Sequence, residues 1–215
     1  MGVDKIVNVT QEEIYESLKK RDGEEIFNKF INSSVAVCGL GGLGSNIATA
    51  LTRAGVGKLI IVDFDRVDIS NMNRQQYMLE QIGVFKTKAL YSNLKAINPY
   101  MEIEVHNEKI TADNAYEILK EADVICEAFD NAEAKAMLLD TVCEKMPEKY
   151  FVCASGMAGL HDPNSIQTKK LGSRIYICGD FKSGIEDEAL YSSGAMLCAS
   201  HQAHTILRIL AGKNE

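Results

Sequence analysis

The sequence of 215 residues lacks the features that mark several common protein classes. It has no apolar run of the roughly 18 residues that a membrane-spanning helix needs, and its first residues show neither the basic nor the apolar region of a secretory signal. The G-x-x-x-x-G-K-[ST] motif of P-loop nucleotidases is also missing. These absences lead us to expect one main domain that lies in the cytoplasm and does not enter a membrane.

Paired cysteines and an excess of positive charge are missing as well. None of the six cysteines stands in a C-x-x-C pair, so no zinc site is expected. The formal net charge of −7 disfavours a general nucleic-acid surface. An acidic protein of this kind must attract an anionic ligand through a local cluster of positive groups.

The most informative part of the sequence is a strand, loop, helix and strand that end at Asp63. Apolar runs at 35–38 and 58–62 flank a predicted helix at 45–54, and glycines with the spacing G-x-G-x-x-G precede that helix. Such glycines permit a tight turn and close approach to phosphate, and the helix N-terminus attracts an anion. Asp63 stands at about the 20-residue spacing of a carboxylate that binds ribose. The unit predicts a nucleotide site made by Gly39, Gly41, Gly42, Gly44 and Asp63.

A polar run after Asp63 favours ATP over a dinucleotide. It contains Asp65, Asn71, Arg74 and Gln75, for which a dehydrogenase has no evident use. Arg74 can bind phosphate oxygens in a bidentate manner and neutralise a departing pyrophosphate. Asn71 can hold a phosphate oxygen or orient an incoming carboxylate. The run therefore indicates chemistry on the phosphates.

Two more candidates stand at predicted element boundaries. Lys86 begins the predicted helix 86–97, where an amine can form a second phosphate clamp. Asp130 and Asn131 follow the apolar strand at 123–128, and ligands bind at the carboxyl ends of strands in open α/β sheets. Asp130 is the natural ligand for Mg²⁺, which commonly takes one or two carboxylates together with phosphate oxygens.

Each candidate also has a purely structural interpretation. Asp130 and Asn131 could only cap the following helix. Lys86 could be a solvated lysine like its neighbour Lys88, and Arg74 could form a surface ion pair. The joint site is favoured because all of these residues follow strand ends or begin helices.

The order of elements predicts a Rossmann-like, doubly wound α/β fold. Strands and helices alternate up to residue 154, which is typical of a mostly parallel sheet. The alternation then ends, and runs at 165–169 and 174–178 predict antiparallel strands at one edge of the sheet. Residues 182–193 are expected to form a loop over the substrate. The predicted divisions are a helical arm at 1–33 and a single domain at 34–215, whose edge strands and closing helix occupy 156–212.

Four strings carry a resemblance to a known family. GLGGLGSN, DFDRVDISNMNRQ, GVFKTKA and EAFDNAEAK extend from Val35 to Lys135, and GAMLCASHQAHTILRILAG follows later. The chain resembles the ThiF/MoeB branch of the ubiquitin-activating-enzyme-like superfamily. It is most similar to the short, zinc-free ThiF proteins of thiamine biosynthesis.

The resemblance implies an ATP-dependent adenylyltransferase with residues 34–215 as its adenylation domain. Such an enzyme activates the C-terminal carboxylate of a small ubiquitin-like sulfur-carrier protein (ThiS-like, ending in Gly-Gly) and releases pyrophosphate in thiamine thiazole synthesis. The implied catalytic residues are Asn71, Arg74, Lys86 and Asp130, the last as the Mg²⁺ ligand. The implied ATP-binding set is Gly39, Gly41, Gly42, Gly44, Asp63, Asp65, Asn71, Arg74, Gln75, Lys86, Asp130 and Asn131.

The resemblance also implies a homodimer, in which an arginine from the partner's N-terminal helix reaches the ATP. Arg21 is the matching candidate. Cys178, at the end of a predicted strand, is the best candidate for a thiol linked to the carrier. The chain departs from the family in three ways: it lacks the zinc-binding C-x-x-C pairs, the stretch 74–86 is about one residue short, and Lys135 replaces an arginine.

Three other functions stay open. An enzyme of the same superfamily that dehydrates threonylcarbamoyladenosine in tRNA would also use ATP, although the acidic charge counts against it. An NAD-dependent oxidoreductase follows from the glycines and Asp63 alone, but leaves Arg74, Lys86 and Asp130 unexplained. A nucleotide-binding scaffold would bind ATP without turnover.

Overall fold

A seven-stranded sheet forms the centre of the protein, whose computed structural model describes residues 9–184 and 188–213. The strand order is β3-β2-β1-β4-β5-β7-β6, and every neighbouring pair is parallel except β6 and β7. The strands are β1 (Ser34–Cys38), β2 (Lys58–Val62), β3 (Glu102–His106), β4 (Val124–Glu127), β5 (Tyr150–Ala154), β6 (Gln167–Leu171) and β7 (Ile175–Gly179). The predicted Rossmann-like sheet with antiparallel strands at one edge is confirmed.

Helices cover both faces of this sheet. They are α1 (Gln11–Asp22), α2 (Glu24–Ile31), α3 (Gly44–Ala54), α4 (Lys86–Ile97), α5 (Ala115–Leu119), α6 (Ala132–Lys145) and α7 (Ser192–Leu210). Successive strand residues face opposite sides, so Val35 and Val37 share a core with α3, α4 and α7. Ala36 and Cys38 share the other core with α5 and α6. Because both faces are buried, the central strands are almost continuously apolar.

The two N-terminal helices pack onto the turn that links α3 to β2. A side chain on Gly55 would approach Leu18 of α1 within 2.7 Å. Phe30 of α2 is buried, and its carbonyl accepts a 2.9 Å hydrogen bond from the N–H of Gly57. The division into an arm at 1–33 and a domain at 34–215 stays a prediction, and residues 1–8, 185–187 and 214–215 lie outside the described ranges.

Strand order places one end of the sheet where a ligand can bind. β1 and β4 are neighbours, and the helices that follow them, α3 and α6, lie on opposite faces of the sheet. Open α/β sheets bind ligands at such a switch point, outside the carboxyl ends of the strands. Within residues 9–184 and 188–213, no helix has the length and apolarity to span a bilayer.

Candidate active site

The glycine loop at 39–44 connects β1 to α3. Gly39 has φ +90°, and a side chain there would come within 2.8 Å of the Ala128 carbonyl oxygen at the end of β4. A side chain on Gly44 would overlap the carbonyl oxygen of Gly39 itself. The loop is therefore folded so tightly against β4 and its own turn that these two positions require glycine.

Asp63 fixes this loop to the end of β2. The carboxylate is buried, and its Oδ2 accepts a 2.7 Å hydrogen bond from the N–H of Leu40. Its Oδ1 accepts a 2.8 Å bond from the N–H of Asp65. A carboxylate has about four acceptor positions, so it also has capacity for ribose hydroxyl groups. Asp63 thus shapes the loop, and its predicted contact with a ribose stays a prediction.

Lys86 and Asp65 meet because the intervening segment 66–85 returns to its starting point. Arg66 and Phe85 form an isolated antiparallel bridge. The N–H of Lys86 then donates to the carbonyl of Asp65 at 2.9 Å, and its Nζ lies 2.8 Å from Asp65 Oδ2. The Lys86 residue is only 7% exposed, whereas Asp65 is exposed. Lys86 is therefore a buried cation, and not the solvated lysine of the alternative interpretation.

Arg74 lies directly against the glycine loop. A side chain on Gly42 would be 3.3 Å from Arg74 Cγ. The guanidinium Nη1 donates to the Ser70 carbonyl at 3.0 Å and to Asn73 Oδ1 at 2.8 Å, both neutral acceptors. Among the residues that the structure describes, no carboxylate pairs with Arg74. Its charge is therefore available to an anion beside the loop.

Gln75 brings an unsatisfied polar atom to the same place. The residue is 8% exposed, and its Nε2 lies 3.8 Å from where a side chain on Gly41 would begin. Its Oε1 is buried and has no hydrogen-bond partner within the described ranges. Buried polar atoms almost always have partners, so this oxygen marks a position for a donor from a ligand or from water.

Asn71 uses only part of its amide locally. Its Oδ1 accepts a 2.9 Å hydrogen bond from the N–H of Asp68 and caps the 3-10 helix Ile69–Asn71. The Nδ2 group makes no hydrogen bond with the described residues and can donate to an oxygen of a ligand.

Asp130 and Asn131 differ in what they do. Asn131 Oδ1 accepts a 2.9 Å bond from the N–H of Ala134, so the capping interpretation is correct for this residue. Asp130 is exposed and makes no hydrogen bond or ion pair with the described residues. No group of three or more metal-ligating side chains occurs in those ranges. The arrangement fits a cation held by one protein carboxylate together with phosphate oxygens, which is the usual situation of Mg²⁺ bound to a nucleotide.

Ser45 and Asn46 were not predicted as part of this site. Ser45 Oγ accepts a 3.1 Å hydrogen bond from the N–H of Gln76, and Asn46 Oδ1 accepts a 2.7 Å bond from Gln76 Nε2. Asn46 Nδ2 lies 3.3 Å from the Arg74 carbonyl oxygen. These two residues hold the polar run against the first turn of α3. The signal was the polar pair directly after the last glycine in GLGGLGSN.

Arg21 lies in the last turn of α1. Its Nη2 is 2.6 Å from Asp22 Oδ2, and its side chain is 56% exposed. This ion pair joins two neighbouring residues of α1 and gives no information about a second subunit. The predicted action of Arg21 across a dimer therefore stays a prediction.

The placement of Cys178 argues against the predicted reactive thiol. Cys178 is fully buried in β7, and burial raises the pKa of its thiol. The thiolate is the nucleophilic form, so a buried thiol with a raised pKa reacts poorly. Cys143 on α6 is the exposed cysteine, and the other five are buried.

We expect a thiol-specific reagent to modify one cysteine rapidly in the native protein. Cys143 is exposed, whereas burial protects the rest. The rate of labelling should lose its fast phase in Cys143→Ser and keep it in Cys178→Ser. Rapid labelling of Cys178, located by peptide mass, would contradict the burial of β7.

Comparison with known proteins places the chain in a family. Residues 16–215 match the family model described as the ThiF family. Ubiquitin-like modifier-activating enzyme 5 of Branchiostoma floridae is 31% identical in an alignment 212 residues long, which covers 91% of this chain and 51% of that protein. The Xenopus laevis enzyme of the same name is 32% identical, with 91% and 52% covered. The chain thus spans about half the length of these curated relatives.

Solved structures show the same fold. Escherichia coli tRNA N6-threonylcarbamoyladenosine dehydratase, TcdA, solved in complex with ATP, has a TM-score of 0.84 at 20% identity, covering 96% of this chain and 98% of that one. Escherichia coli MccB has a TM-score of 0.72 at 17% identity, covering 97% and 66%. The glycine loop, the sheet topology and the match over residues 16–215 lead to one conclusion: the chain belongs to the ThiF family.

Proposed function

We propose that this protein is an ATP-dependent adenylyltransferase that activates the C-terminal carboxylate of a small ubiquitin-like sulfur carrier. The carrier is ThiS-like, ends in Gly-Gly and serves thiamine thiazole synthesis. The observation that carries the proposal is the set of charges around the glycine loop. Arg74 lies against the loop, and Lys86 is a buried cation. Within residues 9–184 and 188–213, no carboxylate pairs with Arg74, and Asp130 makes no ion pair or hydrogen bond. A hydride-transfer enzyme has no use for this set.

The residues suggest how the reaction proceeds. The carrier carboxylate attacks the α-phosphorus of ATP, a new P–O bond forms, and the bond to pyrophosphate breaks. Arg74 and Lys86 neutralise the charge on the departing pyrophosphate, and Asn71 Nδ2 orients an oxygen of the reacting groups. Asp130 would hold Mg²⁺, which when bound would supply further charge neutralisation on the phosphates. Positioning and electrostatics account for the rate, and no protein nucleophile takes part.

The proposal includes a homodimer and a protein partner in the cytoplasm. The segment 66–85 exposes several apolar side chains, and such groups are commonly covered by another chain. These side chains are 43% to 71% exposed: Ile69, Met78, Leu79 and Ile82. In the proposed dimer, Arg21 of one subunit supplies a further positive charge to the ATP of the other.

We expect pyrophosphate exchange into ATP that depends on a carrier with an intact Gly-Gly end. Exchange reports reversible formation of the acyl adenylate, so it needs the carboxylate, ATP and Mg²⁺ together. The matched controls are the same carrier without its last two glycines and the enzyme variant Asp130→Asn, and neither should support exchange. Absence of exchange with every ubiquitin-like carrier tested would contradict the proposal.

A second candidate is dehydration of threonylcarbamoyladenosine in tRNA, the activity named for TcdA. The likeness to TcdA extends over almost the whole of both chains, which favours this candidate. The formal net charge of −7 counts against binding of tRNA. ATP consumption that requires the modified tRNA, and that no carrier protein supports, would establish this function instead.

A further inference from the structure

An ion pair between a buried carboxylate and a partly exposed lysine lies at the carboxyl end of β4 and has no part in the chemistry proposed above. Glu127 is the last residue of β4, and its side chain is 1% exposed. Lys135 Nζ, from α6, lies 2.8 Å and 3.0 Å from the two carboxylate oxygens. The same ammonium donates to the carbonyl of Ala154, the last residue of β5, at 3.2 Å. The pair therefore joins two strand ends and a helix.

The pair also holds the turn that carries Asp130. Glu127 Oε1 accepts a 2.6 Å hydrogen bond from the N–H of Phe129, the residue before Asp130. On the other side, Asn131 caps α6 through the N–H of Ala134. Asp130 thus lies between two fixed positions of the main chain, although its own side chain has no partner in the part of the chain that the structure describes.

This turn is packed against the glycine loop. A side chain on Gly39 would lie 3.1 Å from Phe129 Cδ1 and 2.8 Å from the Ala128 carbonyl oxygen. Gln202 of α7 is fully buried and donates a 3.0 Å hydrogen bond to the Glu127 carbonyl. The turn is therefore in contact with the loop that would hold the phosphates, and Glu127 is tied to both the turn and α7.

We propose that Glu127 and Lys135 are positioning residues for Asp130. They hold its turn close to the glycine loop, where the Asp130 carboxylate can bind the Mg²⁺ of a nucleotide. The inference rests on the proposed function, because it assumes that Asp130 binds Mg²⁺ with ATP. Lys135 is held by three protein oxygens and acts through the turn. Groups that orient a metal-binding side chain commonly change metal affinity 10- to 100-fold when they are removed.

The test is the Mg²⁺ dependence of ATP binding, measured by calorimetry in the absence of any carrier. The double variant Glu127→Met/Lys135→Met replaces the pair by apolar side chains of similar length, which avoids leaving a buried charge alone. We expect the Mg²⁺ concentration for half-maximal enhancement of binding to rise about 10-fold or more. ATP binding in EDTA should stay at the wild-type value, because the glycine loop and its cations are unchanged.

Three further variants make the result specific. Asp130→Asn should show the same loss of Mg²⁺ dependence with normal binding in EDTA. Lys135→Arg keeps the positive charge and the hydrogen-bond donors, and its ATP binding should depend on Mg²⁺ as in the wild type. Lys145→Met removes another lysine of α6, one that donates to the Ala112 carbonyl at 2.9 Å far from the turn, and should match the wild type. The milder Glu127→Gln/Lys135→Met serves if the first double variant unfolds, and should shift the dependence in the same direction.

Two outcomes would overturn the inference alone. The first is a folded double variant whose ATP binding depends on Mg²⁺ as in the wild type. The second is a double variant that loses ATP affinity equally with and without Mg²⁺. Either result would show that the pair does not position Asp130. Wild-type protein whose ATP binding ignores Mg²⁺ would overturn the inference together with the assignment of Asp130. If Mg²⁺-dependent ATP binding behaves as expected but no carrier supports exchange, the proposed function fails and the positioning pair stands.

Discussion

Replacing Lys86 with methionine is expected to lower carrier-dependent pyrophosphate exchange about 100- to 1,000-fold, the usual effect of removing one pre-positioned donor from developing charge. Lys86 is 7% exposed, so its ammonium acts where water screens it little. In the wild type, the Asp65 carboxylate lies 2.8 Å from Lys86 Nζ. The change would leave this carboxylate without its partner and close to the phosphates. Loss of a cation and gain of an unpaired anion act in the same direction. The measurement is kcat/KM for the exchange reaction.

Lys88 provides a matched control for this result. It is on the same helix, two residues further on, and is exposed, so Lys88→Met should leave exchange close to the wild-type rate. Asp65 is about half exposed, so water can solvate its carboxylate when Lys86 is absent, and the Lys86 variant should fold normally. A Lys86→Met enzyme within a few-fold of wild type, with correct folding, would remove Lys86 from the catalytic set.

The single variant Lys135→Met is expected to lose about 3–5 kcal/mol of folding free energy near pH 8, the usual cost of removing one partner of a buried pair. Glu127 is 1% exposed and would be left ionised with no counter-charge. The two carboxylate oxygens that Lys135 contacts in the wild type would keep hydrogen bonds from main-chain N–H groups, those of Phe129 and Ala154, but would have no positive charge beside them. Urea unfolding followed by circular dichroism measures this loss, with Lys145→Met as the control for a lysine on the same helix.

The penalty should depend on pH. Burial raises the pKa of the Glu127 carboxyl above its ordinary value, although Lys135 opposes the shift. Without Lys135, the folded-state pKa rises further, so the variant favours the neutral, protonated carboxyl. When the pKa is higher in the folded than in the unfolded state, the native state is favoured at pH values below the unfolded-state pKa. This stabilisation is lost as the pH rises through the folded-state pKa. The difference between variant and wild type should therefore be small near pH 4 and grow towards pH 8. A penalty that is equal at both ends, or larger in acid, would contradict this account of the pair.

The sequence predicts some elements to the residue and others only approximately. β2 at Lys58–Val62 and α4 at Lys86–Ile97 have the predicted bounds, because Gly57 and Asp63 flank the apolar run and Asn98-Pro99 ends the helix. α5 begins only at Ala115, since Asn114 Oδ1 accepts a bond from the N–H of Thr111 and forms a turn first. The edge strand β6 begins later than residue 165, because 163–165 form a 3-10 helix after Asp162.

The residues of the candidate site also divide into those that the sequence predicts and those that it does not. The glycine loop and Asp63 depend on local chain geometry, which residue type determines directly. The Glu127–Lys135 pair and the bond from Gln202 depend on how distant helices pack, which no spacing in the sequence records. Cys178 shows the same limit. The end of a strand can be open or covered, and here α7 covers it, with Cys198 Sγ 3.5 Å from the Cys178 carbonyl oxygen.

The position of α7 also has a consequence for how the protein is made. Ala199, Ala203 and Ile206 of this helix complete the core that contains Ile47 and Leu51 of α3. α7 is synthesised after every strand of the sheet. The side of α3 that packs against α7 therefore stays uncovered through most of translation. Partly synthesised chains with such surfaces tend to aggregate or to engage chaperones. The nascent protein should therefore reach a protease-resistant state in one late step, when α7 emerges and docks.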